Sequence, residues 1–362
     1  MSMPTFAERF NPRHNSLNAL RLVLATAVIV SHSWPLGGFG QDPSPARQSL
    51  GHWAVVGFFA VSGYLIAASR SRSTVRSFLA ARLLRIYPGF LVCLLLVAFV
   101  AAPLSTTLGP ALAHGHWTPS GGASYVAHNF VLKIEKDGVA GTLPKVPYGP
   151  AWDGSLWTLF YEFVCYLMVG ALLSLPRRWH GPVVAAAFVV TAIGAQLTVT
   201  KTGTAADFLS LAPVFLAGSL LYLYRDKVPV GWPYGVVALL LLPVIGWLNV
   251  VSSIGAPVVV YACFWLGVVL PFQKVGKRND ISYGMYIYAF PVQQLLAQAG
   301  VYKHGVGVFV VLSVLLTLPM ATASWFTVER PALNLKKRLQ RPRRTAQHAA
   351  ASATETEKLA VN

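Results

Sequence analysis

Charge is scarce in this chain, and negative charge scarcest. Only 11% of its 362 residues are charged, and just 12 of them are acidic. An ordinary soluble domain carries ~25% charged residues, so a water-soluble globule is excluded. Cysteine is nearly absent. Cys93, Cys165 and Cys263 lie in apolar stretches with no paired spacing in a loop, which excludes a disulfide framework and reads as three small buried apolar residues. Also missing are metal-ligand spacing, a glycine-rich phosphate loop, a nucleophile elbow, heptads and internal repeats. These absences assign no metal and no permanently bound cofactor.

What is abundant is apolar length. Hydrophobic residues make up 55% of the chain, in blocks long enough for a helix to cross a ~30 Å hydrocarbon core. Spans read at 17–36, 53–69, 86–104, 155–175, 182–199, 208–224, 232–250, 256–272, 282–300 and 306–327. The fold class is therefore an all-α polytopic membrane protein of about ten transmembrane helices with both termini cytoplasmic. The net charge of +17 would suit nucleic acid, but its distribution says membrane. With this topology 23 of the 29 Lys and Arg fall on the cytoplasmic side and 6 outside, which is the positive-inside bias. The first apolar stretch lacks a small-x-small cleavage site and reads as a retained helix rather than a signal peptide.

Residues 1–16 form a short cytoplasmic lead-in, 17–333 the membrane domain, and 334–362 a basic tail expected to be disordered along anionic headgroups. The longest connection, about 105–154, is external, and a loop of that length is usually functional or a lid. The inside loop 70–85 carries five arginines. Arg70, Arg72 and Arg76 read as topogenic charge. Arg82 and Arg85 lie three apart on one helix face at the lip of a span, where two guanidiniums can clamp a phosphate-bearing ligand from the cytosol.

Charged and titratable groups inside a bilayer are costly and call for a function. Four stand out: Arg21, His32, Glu162 and Glu329. Arg21 and His32 are eleven residues apart, so they share a helix face at a separation of ~16 Å. The alternatives are a snorkelling Arg21 and a His32 bonded to a neighbouring helix. Histidine suits general base work, taking a proton from a hydroxyl as it attacks a thioester, or it can carry the acyl group itself. That role needs an orienting partner. Glu162 has no basic neighbour in sequence, so its partner is expected on another helix, with His32 or an arginine the natural candidate; a structural ion pair is the alternative. Gly57, Ser62 and Gly63 lie on the otherwise bulky second span, where small residues let helices approach. Trp157 and Tyr161 share a face and can line a pocket or form an interface belt. His52, just ahead of the second span, receives no role.

Six segments in order resemble the membrane-bound acyltransferase family 3, which includes polysaccharide O-acetylases, nodulation-factor acetylases and macrolide acyltransferases. They are NALRLVLATAVIVSHSWPLGG, with Arg21 and His32; GFFAVSGYLI; Arg82-x-x-Arg85 followed by Pro88; DGSLWTLFYEF, ending near Glu162; SYGMYIYAFPV; and FTVERP with Glu329. The resemblance covers about 15–333. It implies a bundle that moves an acyl group, usually acetyl, from cytoplasmic acyl-CoA to a hydroxyl of a glycan or glycolipid acceptor. It implies His32 as the catalytic residue, Arg21, Arg82 and Arg85 in donor binding or support of the site, and Glu162 and Glu329 in structural or supporting roles. With no esterase-like domain after the last span, the stand-alone form in a bacterial plasma membrane is expected. The competing class is a transporter or flippase of an envelope precursor, though its usual paired halves with broken helices are not visible.

Overall fold

The computed structural model describes residues 3–108 and 115–339, with side chains as far as 335. Most of the expected 334–362 tail lies outside these residues. Fourteen helices follow in order among them: α1 (Phe6–Arg9), α2 (Leu17–Leu36), α3 (Leu50–Arg70), α4 (Val75–Leu96), α5 (Ala102–Ser105), α6 (Pro119–Asn129), α7 (Trp157–Leu172), α8 (Arg177–Leu197), α9 (Thr204–Leu223), α10 (Trp232–Trp247), α11 (Ala256–Val269), α12 (Ser282–Gln298), α13 (Val306–Ser324) and α14 (Arg330–Leu339). The described residues contain no β-strand. Six helical stretches are long and apolar enough to cross a membrane: α2, α3, α8, α9, and the continuous runs Val75–Ser105 and Val306–Leu335. The other four expected spans fall on α7, α10, α11 and α12, which have 14 to 17 residues. The chain is an all-helical, multi-pass membrane protein.

Helix starts follow local chemistry. Ser49 adopts extended backbone and its hydroxyl accepts from the His52 amide at 3.0 Å, which caps α3 one turn earlier than its apolar run. Thr74 does the same for α4 through Ser77. The segment read as loop 70–85 is therefore mostly helix. Its Ala, Leu and Arg residues are good helix formers, and Arg82 and Arg85 project from α4 itself.

The centre of the bundle is the pair α3 and α9, where backbones nearly touch. A Cβ on Gly63 would lie 1.9 Å from the Phe215 carbonyl oxygen, and one on Gly218 would lie 2.3 Å from that of Ala60. Ser219 Oγ donates to the Gly63 carbonyl at 3.0 Å across the seam. Small residues allow this approach, as expected for helices in lipid.

Two turns are π-helical, Val97–Ala101 between α4 and α5, and Trp325–Glu329 between α13 and α14. The buried stripe of α13 runs Phe309, Ser313, Thr317, Ala321 and Ser324. The wide turn then returns the chain inward five residues later, at the buried Glu329. The part of the long connection described from 115 to 154 is folded. Trp152 is fully buried and donates through Nε1 to Thr142 Oγ1 at 2.9 Å. Buried Asp153 accepts from the Tyr125 hydroxyl and, at 3.7 Å, from Cys93 Sγ on α4. Burial pushes the Asp153 carboxyl up to about 7 despite these two donors.

Candidate active site

A cavity of about 300 Å³ opens between α2, α3, α4, α7 and the end of the bundle that carries Asp280 and Trp325. Arg21, Arg82, Arg85, Ser62, Glu162 and Tyr166 all face it. Arg21 pairs with Asp280 at 2.5 Å, and Arg85 bridges Asp280 and Glu329, each at 3.0 Å. Two guanidiniums thus meet two carboxylates in one chain of contacts. Burial opposes the charge on Asp280, yet Arg21 and Arg85 hold its carboxyl down at about 2. Glu329 takes a further hydrogen bond from Ser324 Oγ at 3.3 Å. Asp280 escapes the sequence reading because KVGKRND looks like ordinary loop charge beside Lys277 and Arg278.

The two arginines of the Arg82–Arg85 pair therefore differ. Arg85 is engaged by acids on both sides. Arg82 has no ion pair among the described residues, its Nε is buried without a hydrogen-bond partner, and its guanidinium carbon sits 6.0 Å from the rings of Phe78 and Tyr166. Arg82 is the one guanidinium lining this cavity that no carboxylate contacts directly among the described residues.

Glu162 lies in the same cavity, but not with the partner expected. Its Oε1 accepts from Ser62 Oγ at 2.8 Å and from the Tyr166 hydroxyl at 2.6 Å, and no arginine or histidine pairs with it among the described residues. The helix explains the choice, since Glu162 and Tyr166 are one turn apart on the inward face of α7 and Ser62 faces them from α3. A smaller cavity of about 50 Å³ shares Arg21, Ser62, Glu162 and Tyr283 with the first and continues along Val55, Phe59 and Thr158. That volume holds a few waters or one short acyl group. Trp157 and Tyr161 line neither cavity. They stack edge to face at 5.6 Å on a neighbouring face of α7, Trp157 is 39% exposed, and the Tyr161 hydroxyl donates to Asp207 at 3.1 Å. Thr158, one residue further on than Trp157, is the one that turns inward.

His32 and Arg21 both turn toward α12. Arg21 reaches Asp280, two residues before that helix, and the half-buried His32 ring packs edge-on against Phe290 within it at 5.5 Å. His32 lines neither cavity, and its ring makes no hydrogen bond among the described residues. An acid from the turn after α2, Asp42, meets the residue just before His32 in that helix. Asp42 Oδ2 accepts from Ser31 Oγ at 3.0 Å, while Oδ1 is buried without a partner. The sequence offers Glu162 as a candidate partner for either His32 or an arginine. Asp42, in GGFGQDPSP, carries no local signal beyond being an acid ten residues from the histidine.

A family described as an acyltransferase domain matches residues 14–328. The O-acetyl transferase of Shigella phage Sf6 is 28% identical over 337 residues, covering 88% of this chain and 96% of the phage protein. Nodulation protein 10 of Rhizobium leguminosarum bv. viciae is 28% identical over 375 residues, covering 92% and 96% respectively. No solved structure matches.

Proposed function

The chain belongs to the membrane-bound acyltransferase family 3 and is an acyltransferase, and from that premise we propose that it moves an acetyl group from cytoplasmic acetyl-CoA to a hydroxyl of an envelope glycan or glycolipid. The reading includes about ten crossings of a bacterial plasma membrane with both termini on its cytoplasmic side. The observation that carries it is Arg82, a cation with a buried, unpartnered donor on a cavity that narrows toward an acetyl-sized space. Arginine matches phosphate oxygens, so Arg82 meets the anionic part of the donor. The Arg21–Asp280–Arg85–Glu329 chain is already balanced and holds the walls.

The thioester then extends past Ser62 and Glu162 toward His32. The acceptor hydroxyl gives its proton to the His32 imidazole, its oxygen attacks the thioester carbonyl, and the C–S bond breaks. CoA leaves as a thiolate, which takes the proton from the imidazolium. Asp42, held by Ser31 next to His32, stabilises that imidazolium through its charge.

The test is release of free CoA thiol from acetyl-CoA by membranes supplied with envelope glycan. His32→Ala is expected to abolish acceptor-dependent release while the protein still inserts and migrates as one species. Near-normal release by that variant would remove His32 as the base.

A further inference from the structure

At the end of the bundle opposite Arg21 lies a third cavity, of about 160 Å³, between the starts of α3 and α9, the end of α8 and the turn 249–253. It is roughly the space of five waters, the scale of one sugar ring. His52, Gln196, Lys201, Asp207, Asn249 and Ser252 line it. Several of these groups are fixed by their neighbours. Asn249 Oδ1 accepts from Gln48 Nε2 at 2.7 Å, which leaves its amide nitrogen as a donor. Gln196 Oε1 accepts from Ser253 Oγ at 3.0 Å, which does the same for Gln196. Asp207 Oδ2 takes the Tyr161 hydroxyl, and Oδ1 stays available. The His52 ring has no hydrogen-bond partner among the described residues. Asn249 sits at φ 55°, a left-handed conformation that asparagine tolerates better than most residues.

One face of α3 joins this cavity to the other two. His52, Val55, Phe59 and Ser62 follow each other in steps of three and four, so they form one stripe. Val55, Phe59 and Ser62 line the narrow cavity, and Ser62 also lines the large one. His52 is one turn, ~4.5 Å along the axis, beyond Val55.

We propose that this third cavity binds a sugar ring of the acceptor and presents a hydroxyl to the transfer route from the side opposite the acyl donor. This rests on the acyl-transfer reading above. Its chemistry is that of neutral hydroxyls. Asp207 accepts, the two amides donate, and Lys201 offsets the carboxylate, so the wall has no net charge to favour phosphate. A carboxylate aimed inward also repels an anionic headgroup.

The experiment uses full-length protein in nanodiscs carrying Val199→Cys, a lining residue that takes no part in the proposed hydrogen bonds. The native Cys93, Cys165 and Cys263 are buried, so a membrane-impermeant methanethiosulfonate reads the new thiol. The probes are the methyl glycosides of glucose, galactose, mannose and rhamnose. At least one is expected to slow labelling about tenfold at ten times its Kd, while acetyl-CoA does not. His52→Ala and Asp207→Asn are expected to raise the KM of that glycoside as acceptor at least ~10-fold with the KM for acetyl-CoA unchanged. No protection by any of the four glycosides, or equal protection by acetyl-CoA, overturns the proposal. Protection that follows anionic lipid content instead of sugar also overturns it. Labelling reads binding without turnover. Wild-type membranes that release no CoA would therefore defeat the acyl-transfer reading, while protection of the thiol would still decide whether the cavity holds sugar.

Discussion

Replacing each arginine of the Arg82–Arg85 pair by glutamine separates a ligand-binding cation from a structural one. Arg85 stands between two carboxylates at 3.0 Å, with Glu329 only 1% exposed at its side chain. Asp280 keeps Arg21 when Arg85 is lost, but Glu329 keeps only Ser324. Breaking a buried pair by removing one partner costs ~3–5 kcal/mol, so Arg85→Gln should unfold far more readily. Adding Glu329→Gln should restore part of that loss, because the stranded charge goes with it. Arg82→Gln removes a group with no ion pair and an unpartnered buried donor, and strands no partner, so it should destabilise far less than Arg85→Gln. If Arg82 meets the donor's phosphates, one charge-assisted hydrogen bond of ~1.5–3 kcal/mol is lost, which raises KM for acetyl-CoA roughly 10- to 150-fold. Unfolding is measured by steric trapping in bicelles, and KM by thiol release. Equal destabilisation by both variants, or an unchanged KM for Arg82→Gln, would refute the division of roles.

Three further outcomes follow from the geometry. Asp42→Asn keeps the hydrogen bond from Ser31 but removes the charge beside His32, so kcat should fall ~10²-fold or more with KM for acetyl-CoA unmoved; an unchanged kcat discards Asp42 as the partner. Gly63→Val puts a branched side chain where even a Cβ meets the Phe215 carbonyl at 1.9 Å, so α3 and α9 must part and yield of folded protein in detergent should collapse, whereas Gly307→Ala, with open space at its Cβ, should not matter. Asp153 has its carboxyl raised to about 7 by burial, above its unfolded value, so it is protonated in the fold at mildly acidic pH and its ionisation weakens the fold as pH rises toward and past 7. Asp153→Asn should flatten the loss of thermal stability between pH 5 and 8, and a parent protein with no such loss would contradict that environment.

The sequence made the all-helical, multi-pass membrane character legible because apolar length is a local signal that survives without partners. It also exposed the residues whose burial is expensive, and Arg21, Arg82, Arg85 and Glu162 do share one cavity. What it hid were the partners. Asp280 and Asp42 lie in short polar turns where acids are common, and only three-dimensional packing sets one beside Arg21 and the other against Ser31, the neighbour of His32. Glu162 was expected to seek a cation, whereas two hydroxyls satisfy it. Trp157 and Tyr161 show how fine the phase of a helix is. A shift of one residue, ~100° around α7, separates them from Thr158 and Glu162, which line the cavity.

The wide turn at Trp325–Glu329 gives the last long helix a spare residue, and that spare acts as a phase adjuster. Deleting a residue between Thr317 and Trp325 would twist the upstream rod by about 100° against the downstream one, whereas a deletion inside the wide turn would let the coil tighten to its usual pitch and absorb most of the change. Since Arg85 anchors Glu329, the twist would fall on α13 and carry Ser313 and Thr317, now hidden, round into hydrocarbon. Length, more than residue identity, is the quantity the regular helix before the turn has to conserve: a protein shortened there should fail even when every side chain of the cavity is kept.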